Sequence, residues 1–153
     1  MPKATHQKDL TFLIAGAHRR LHARLEQVLQ QEGLTVEQWR VLAALNERDG
    51  CSMGELAELV LMNNPALTKL ADRMVANGFI HRVPDTADQR RVLVYNTDRG
   101  NAFFERVAGK VTAHNTRLEH MVGTTKAAAL RALLEDLARE ELEEAQALPS
   151  SLS

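Results

Sequence analysis

Two arginines, Arg90 and Arg91, stand in a turn-rich stretch between two short runs of β-branched and aromatic residues. The pattern predicts a two-stranded β-ribbon, with strands near residues 79–83 and 91–95, whose tip carries both guanidinium groups. A guanidinium at a projecting tip can enter the narrow minor groove of duplex DNA, where the negative potential is concentrated. Asp88, two residues before Arg90, is expected to hold the Arg90 guanidinium in place through a bidentate pair.

A second group of polar residues surrounds the start of a helix that Pro65 opens. Proline suits the first turn because its missing amide hydrogen needs no partner there, and a preceding asparagine can cap the helix. Asparagine and lysine can hydrogen-bond base edges, arginine can pair with phosphate, and a small residue such as Ala66 can contact a thymine methyl group. The residues expected to reach DNA are Ser52, Asn63, Asn64, Pro65, Ala66, Thr68, Lys69 and Arg73, with Asp88, Arg90 and Arg91 of the ribbon. An ordinary solvated helix face would show the same composition.

Apolar residues at helical spacing predict that these groups lie in a mainly α-helical chain, of which only 4% is aromatic. A long amphipathic first helix is expected over about residues 9–31, and a second over about residues 36–47 with Thr35 as its N-cap. A capping box that begins at Ser52 opens a short third helix. The Pro-started fourth helix ends near residue 76, before an Asn-Gly stop.

Helical spacing resumes after residue 100, and Thr124 or Thr125 is expected to cap the last helix. The order of helix, short helix, turn, Pro-started helix and β-ribbon is that of a winged helix-turn-helix. In that architecture the Pro-started helix enters the major groove of DNA.

The composition neither requires nor excludes a nucleic-acid partner. The 153 residues include 19 basic and 20 acidic ones, so DNA binding has to rest on where the positive charge is placed. No stretch approaches the roughly 18 consecutive apolar residues of a membrane helix, and the first residues lack a secretory-signal pattern, so a cytoplasmic protein is expected.

No catalytic motif stands out along the chain. We find no nucleophile beside a base, no paired carboxylates and no glycine-rich phosphate loop, so an enzyme is not expected. Cys51 is the only cysteine, which excludes an internal disulfide and a multi-cysteine zinc site. No cofactor is expected.

Residues 52–100 resemble the DNA-binding domain of the MarR (multiple antibiotic resistance regulator) family. The matching stretches are ELAE at 55–58, LTKLADRM at 67–74, DTADQRRVLV at 85–94 and TDRG at 97–100, with LTVEQWRVL at 34–42 resembling the family's second helix. The resemblance covers roughly residues 10–142. Two positions depart from it, since Pro65 replaces the serine of many members and Asn96 replaces an apolar residue.

The resemblance implies an obligate homodimer in which a small molecule relieves repression. It implies a dimerisation helix at residues 1–33, a winged helix-turn-helix domain at 34–100 and further dimerisation helices at 101–148. The last residues, 149–153, are expected to be a frayed tail whatever the family. It also implies that Arg90 is the minor-groove arginine of the wing and Asp88 its partner. A helical protein–protein adaptor is the alternative from another class, but it leaves the arginine tip unexplained.

Trp39 falls where members of the family bind their effectors, between the dimer helices and the DNA-binding domain. The residues expected at such a site are His18, Arg19, Trp39 and Arg40, of which an arginine can bind the carboxylate of a small aromatic acid or phenol. A solvated surface position explains any one of these arginines equally simply.

Two further groups have competing interpretations. His18 and His22, four residues apart on the first helix, have the spacing of two metal ligands, but no third ligand follows, so a pair of interface histidines is preferred. Cys51 precedes the capping box in a turn, and either oxidant sensing or a structural role fits it.

Overall fold

The computed structural model describes residues 9–148, and the expected tail at 149–153 lies outside them. The helices are α1 (Leu10–Gln30), α2 (Val36–Asn46), α3 (Met53–Val60), α4 (Asn64–Ala76), α5 (Asp98–Val122) and α6 (Thr124–Ala147). The strands are β1 (Cys51–Ser52), β2 (Ile80–Pro84) and β3 (Val92–Asn96). The predicted mainly α-helical winged-helix fold is confirmed. The chain divides into two compact units, the first ending at Thr112 and the second beginning at Ala113. The division into dimerisation and DNA-binding domains at residues 33 and 100 stays a prediction.

Side-chain caps start each of the first four helices, and three of these caps, all but Asp9 of α1, lie where the sequence predicts them. The Thr35 hydroxyl accepts from the Gln38 amide at 3.1 Å, while the Gln38 side chain accepts from the Thr35 amide at 3.0 Å. Ser52 and Glu55 form the same reciprocal pair at the start of α3, at 3.2 and 2.8 Å. Each box satisfies two amides that the helix itself leaves without acceptors. Asn63 caps α4.

The sheet has three strands in the order β1-β3-β2, all antiparallel, so the wing ribbon carries one strand more than predicted. β1 is only two residues long, too short for an alternating pattern to indicate it. β2 and β3 each begin one residue later than predicted. The Phe79 amide donates to the Met74 carbonyl of α4, and the Arg91 amide donates to the Asp88 carbonyl across the wing turn. Neither amide therefore belongs to the strand ladder.

One apolar core joins the helix-turn-helix, the sheet and the first part of α5. Its fully buried side chains come from every element of this unit, including Leu29 of α1, Leu42 of α2, Leu56 of α3, Leu67 and Met74 of α4, Val94 of β3 and Val107 of α5. Tight packing of this core sets where the exposed face of α4 and the base of the wing lie.

The second unit contains the end of α5 and all of α6. Neither Thr124 nor Thr125 caps α6, so that prediction is wrong. Gly123 holds the N-cap position with φ +102°, a conformation suited to glycine, and no side-chain cap bond forms. α6 buries none of its described residues within the single chain.

Gly100 is required where α5 passes the connection between α4 and β2. A Cβ atom there would lie 2.1 Å from the Phe79 carbonyl oxygen, a backbone atom that cannot swing away. We expect Gly100→Ala to lower the free energy of unfolding by about 3 kcal/mol or more, because the overpacked backbone must shift. Urea unfolding at a fixed protein concentration measures this as a fall in the midpoint.

Gly109 in the same helix is the matched control. Apart from its chain neighbours and the backbone of its own helix, no atom of the described residues lies within 4 Å of a Cβ built at Gly109. Gly109→Ala is expected to leave stability unchanged or to raise it by about 0.5–1 kcal/mol, the usual gain of alanine over glycine in a helix. Equal losses in both variants would show that the close approach at Gly100 does not matter.

Candidate nucleic-acid interface

The start of α4 presents polar groups to solvent because its opposite side is held in the core. Leu67, Leu70, Ala71 and Met74 are buried, and the turns between them expose Asn64, Thr68, Lys69 and Arg73. The exposed end is also the positive end of the helix dipole, which favours an anionic partner.

Some residues predicted to contact DNA already have structural partners. The Asn63 side-chain oxygen accepts from the Ala66 amide at 2.9 Å, and Ser52 caps α3 in the same way. The Thr68 hydroxyl donates to the Asn64 carbonyl at 2.9 Å, which leaves the hydroxyl oxygen free to accept a further bond. Asn64, Lys69 and Arg73 have exposed side chains and are the α4 groups best placed to bind a partner.

The wing tip is a structured turn. An Asp88 carboxylate oxygen accepts from the backbone amide of Arg90 at 3.0 Å, and the Asp88 carbonyl accepts from the Arg91 amide at 2.9 Å. Asp85 stabilises the other side of the turn by accepting from the Ala87 amide at 3.0 Å. Arg90 is exposed at this tip.

The predicted contact between Asp88 and the Arg90 guanidinium differs from the one observed. Within residues 9–148 no ion pair joins the two side chains, and the carboxylate instead binds the Arg90 backbone. A bond from the Asp88 carboxylate to the backbone amide two residues later forms an Asx turn. It spans a shorter distance than a bidentate pair with the guanidinium, and it fixes the backbone of the turn itself. Asp88 therefore positions Arg90 through the backbone in this structure.

Two ion pairs, which the sequence did not indicate, connect the wing to the helices. The Arg91 guanidinium donates to the Glu55 carboxylate at 2.7 Å, joining the wing to α3. The Arg82 guanidinium of β2 donates to Asp72 of α4 at 2.6 Å. Arg91 thus holds the wing base, while Arg90 remains at the tip.

Glu55 combines the α3 cap with the wing contact. The bond from the Ser52 amide, and then the Arg91 guanidinium, lower the pKa of the Glu55 carboxyl below its ordinary value of 4.5. Because the folded-state pKa is the lower one, the stabilisation is complete above pH 4.5 and is lost as the pH falls through the folded-state value.

Glu55→Gln tests this dependence. We expect the variant to be less stable than the native protein at pH 7, and the two to converge as the pH falls below 4.5. Denaturant unfolding over a pH series measures the difference. Glu58→Gln is the control, since no ion pair is formed by Glu58 among the described residues of the same helix. A constant gap between Glu55→Gln and the native protein down to pH 3 (roughly a full unit below the free carboxyl) would contradict the assignment.

The residues predicted for an effector site are only partly brought together. Trp39 stacks on Phe104 of α5 with ring centroids 5.0 Å apart. Trp39 and Arg40 also line an open groove of about 300 Å³ against the end of α3, which we call the α2–α3 groove; its lining includes Arg48, Leu59 and Leu61. His18 and Arg19 are exposed on α1 and do not line it, so their role in effector binding stays a prediction.

The alternative chemistry of the histidines and of Cys51 receives little support. The His18 and His22 rings lie 5.3 Å apart, but the described part of the chain contains no group of three ligands able to hold a metal ion. Cys51 is 2% exposed, and burial raises the pKa of its thiol, which disfavours the reactive thiolate. Among the helices described, none is long and apolar enough to cross a membrane.

Comparison of the sequence with known proteins gives concordant matches. The model of the MarR family matches residues 34–92. The chain is 27% identical over 141 residues to the HTH-type transcriptional regulator FarR of Neisseria gonorrhoeae, a match covering 92% of this chain and 97% of FarR. It is 32% identical over 139 residues to the regulator TtmR of Methylorubrum extorquens, covering 88% and 67% of the two chains.

Solved structures show the same fold. A MarR family transcriptional regulator from Silicibacter pomeroyi is 34% identical with a TM-score of 0.77, over 87% of this chain and 95% of that one. NadR in complex with 4-hydroxyphenylacetate is 27% identical with a TM-score of 0.77, over 90% and 98%. A substituted form of Escherichia coli MarR complexed with operator DNA is 27% identical with a TM-score of 0.77, over 84% and 92%. This chain, with its helix-turn-helix and β-wing, belongs to the MarR family of transcription regulators.

Proposed function

We propose that the protein is a homodimeric repressor that binds a pseudo-palindromic operator and releases it on binding a small aromatic acid or phenol. The observation that carries the DNA half is the exposed set on α4 together with Arg90 at the wing tip. The α4 groups can read base edges in the major groove, and Arg90 can enter the adjacent minor groove. A relative of the same fold has been crystallised with operator DNA.

The homodimer is supported by apolar surface that a single chain leaves exposed. On α6, Leu130, Leu133, Leu134 and Leu137 recur at helical spacing and are 41–66% exposed. The start of α1 exposes Leu10, Phe12 and Leu13 in the same way. Contiguous patches of this kind mark interaction sites, and a two-fold axis would place two copies of α4 about one DNA turn apart.

The effector half rests on Trp39 and Arg40, which lie side by side on one groove. An indole and a guanidinium together suit a flat molecule with an anionic group. The effector is proposed to alter the spacing of the two DNA-binding domains. Because it must favour one conformer by its differential affinity, it should bind more weakly when operator is present.

Selection of bound fragments from genomic DNA tests the function directly. A repressor of this kind should enrich fragments that share a palindrome, and anisotropy with that duplex should show affinity falling steeply with salt. If no sequence is enriched and the affinity for DNA depends only weakly on salt, DNA recognition is overturned and a protein–protein adaptor is favoured.

A further inference from the structure

Arg91 attaches the loop at the wing tip to the helices. Its amide donates to the Asp88 carbonyl at 2.9 Å, and its carbonyl accepts from the Asp85 amide at 2.8 Å. These two backbone bonds close the loop that carries Arg90. The Arg91 guanidinium donates to Glu55 of α3 at 2.7 Å. The loop that presents Arg90 is therefore attached to α3 through the residue next to Arg90.

Glu55 divides its two carboxylate oxygens between the helix and the wing. Oε2 accepts from the Ser52 amide at 2.8 Å, and Oε1 accepts from the Arg91 guanidinium at 2.7 Å. Ser52 pairs across the sheet with Leu93, two residues after Arg91, so the contacts form a closed ring. Because both oxygens are engaged, the carboxylate cannot rotate without losing one of the two bonds. The direction of the Arg91 side chain is fixed relative to α3 and to β1.

The other strand of the wing is held by a second ion pair, to a different helix. Arg82 of β2 donates to Asp72 of α4 at 2.6 Å, whereas Arg91, just before β3, is bound to α3. The side chains of both pairs are between 32% and 59% exposed, so neither pair contributes much to stability. Attachments on both strands nevertheless restrict twisting of the ribbon more than one attachment could. They set the direction of the wing relative to α4.

We propose that Glu55 and Arg91 are positioning residues for DNA recognition, which determine the base pairs beside the α4 site that Arg90 reads. Arg91, predicted from the sequence to contact DNA, acts instead through Arg90. An arginine in the minor groove responds to the width of that groove, which is narrow in A·T-rich sequence. A wing held in one direction presents Arg90 to one position of the flank, whereas a loose wing samples several. This inference rests on the proposed function, in which α4 and Arg90 both contact the operator.

Three substitutions test the proposal. Glu55→Gln removes the charge that holds Arg91 but keeps an oxygen for the Ser52 amide, since glutamine also serves at this position of a capping box. Arg91→Met removes the guanidinium and keeps an unbranched side chain. Glu58→Gln is the control, because it removes the same charge from the same helix, where no ion pair joins Glu58 to another described residue. Far-UV circular dichroism establishes that each variant is folded before DNA is added.

The measurement is the loss of affinity, by anisotropy, when A·T pairs in the operator flank are replaced by G·C; the flank is the part whose preference Arg90→Ala abolishes. The native protein and Glu58→Gln should lose roughly fivefold or more. Glu55→Gln, Arg91→Met and the double variant should each lose less than roughly twofold, because all three remove the same pair. Replacing base pairs whose preference depends on Asn64 should cost every protein the same, which a general loss of structure would not allow.

Direct contact between Arg91 and a DNA phosphate predicts the opposite result for Glu55→Gln. That variant would free Arg91 and remove a negative charge, so the operator would be bound more tightly, whereas loss of positioning should weaken binding by roughly 3- to 10-fold, part of the cost of losing Arg90 itself. Tighter binding by Glu55→Gln, or flank discrimination that survives in both single variants, overturns the positioning role alone. A native protein that selects no sequence from genomic DNA overturns the proposed function and this inference with it.

Discussion

A chain with glutamate in place of both Leu133 and Leu137 is expected to be a folded monomer that has lost most of its operator affinity. Both leucines are exposed in the single chain, at 66% and 41%, and neither belongs to the buried core, so the substitutions leave that core intact. In a dimer that buries this surface, the two carboxylates would face the same carboxylates of the second copy and would have no positively charged partner. Since a monomer binds only half of a palindrome, affinity should fall by about 10²- to 10⁴-fold.

Light scattering and anisotropy with an operator duplex measure the two effects on the same samples. Ala132→Glu is the matched control, because at about 100° per residue it lies on the opposite side of α6 from the leucine stripe. It adds a charge to the same helix and should leave mass and affinity unchanged. A double glutamate variant that stays dimeric would show that the interface lies elsewhere.

The parts of the fold that were predicted correctly depend on neighbours in the sequence. The Thr35 and Ser52 boxes close over three residues, and the buried stripe of α4 follows from its apolar spacing. The Thr124 or Thr125 cap failed although the residue type was suitable. There the glycine at position 123 reaches a backbone conformation that ends the preceding helix without a side-chain cap.

The parts that were not predicted depend on residues distant in the sequence. Arg91 and Glu55 are 36 positions apart, so no local pattern separates Arg91 from Arg90, although one pairs with α3 and the other stays at the tip. β1 exists only because Cys51 meets Val94 across the sheet. Strand pairs and ion pairs of this kind are decided by tertiary packing, which spacing along the chain does not encode.

Arg90→Ala is expected to weaken operator binding by about 1–3 kcal/mol per protomer, with a smaller salt dependence. Arg90 is exposed at the wing tip, whereas Arg91 beside it is paired with Glu55. Loss of a charged contact also removes the release of its counterion. The slope of log K against log salt concentration should therefore fall in magnitude by about one unit for each wing that contacts DNA. Asn64→Ala, which removes no charge, should keep the slope and relax the preference at single base pairs.

Asp88 decides how Arg90 is held. Asp88→Ala removes the acceptor for the Arg90 amide and loosens the turn, so binding should weaken although the net charge becomes more positive. Asp88→Asn keeps a side-chain oxygen for the same amide while removing the charge, and should bind at least as well as the native protein. If the carboxylate only repelled phosphate, both variants would bind more tightly. Anisotropy over a salt series separates the cases, and tighter binding by Asp88→Ala would show that the turn does not position Arg90.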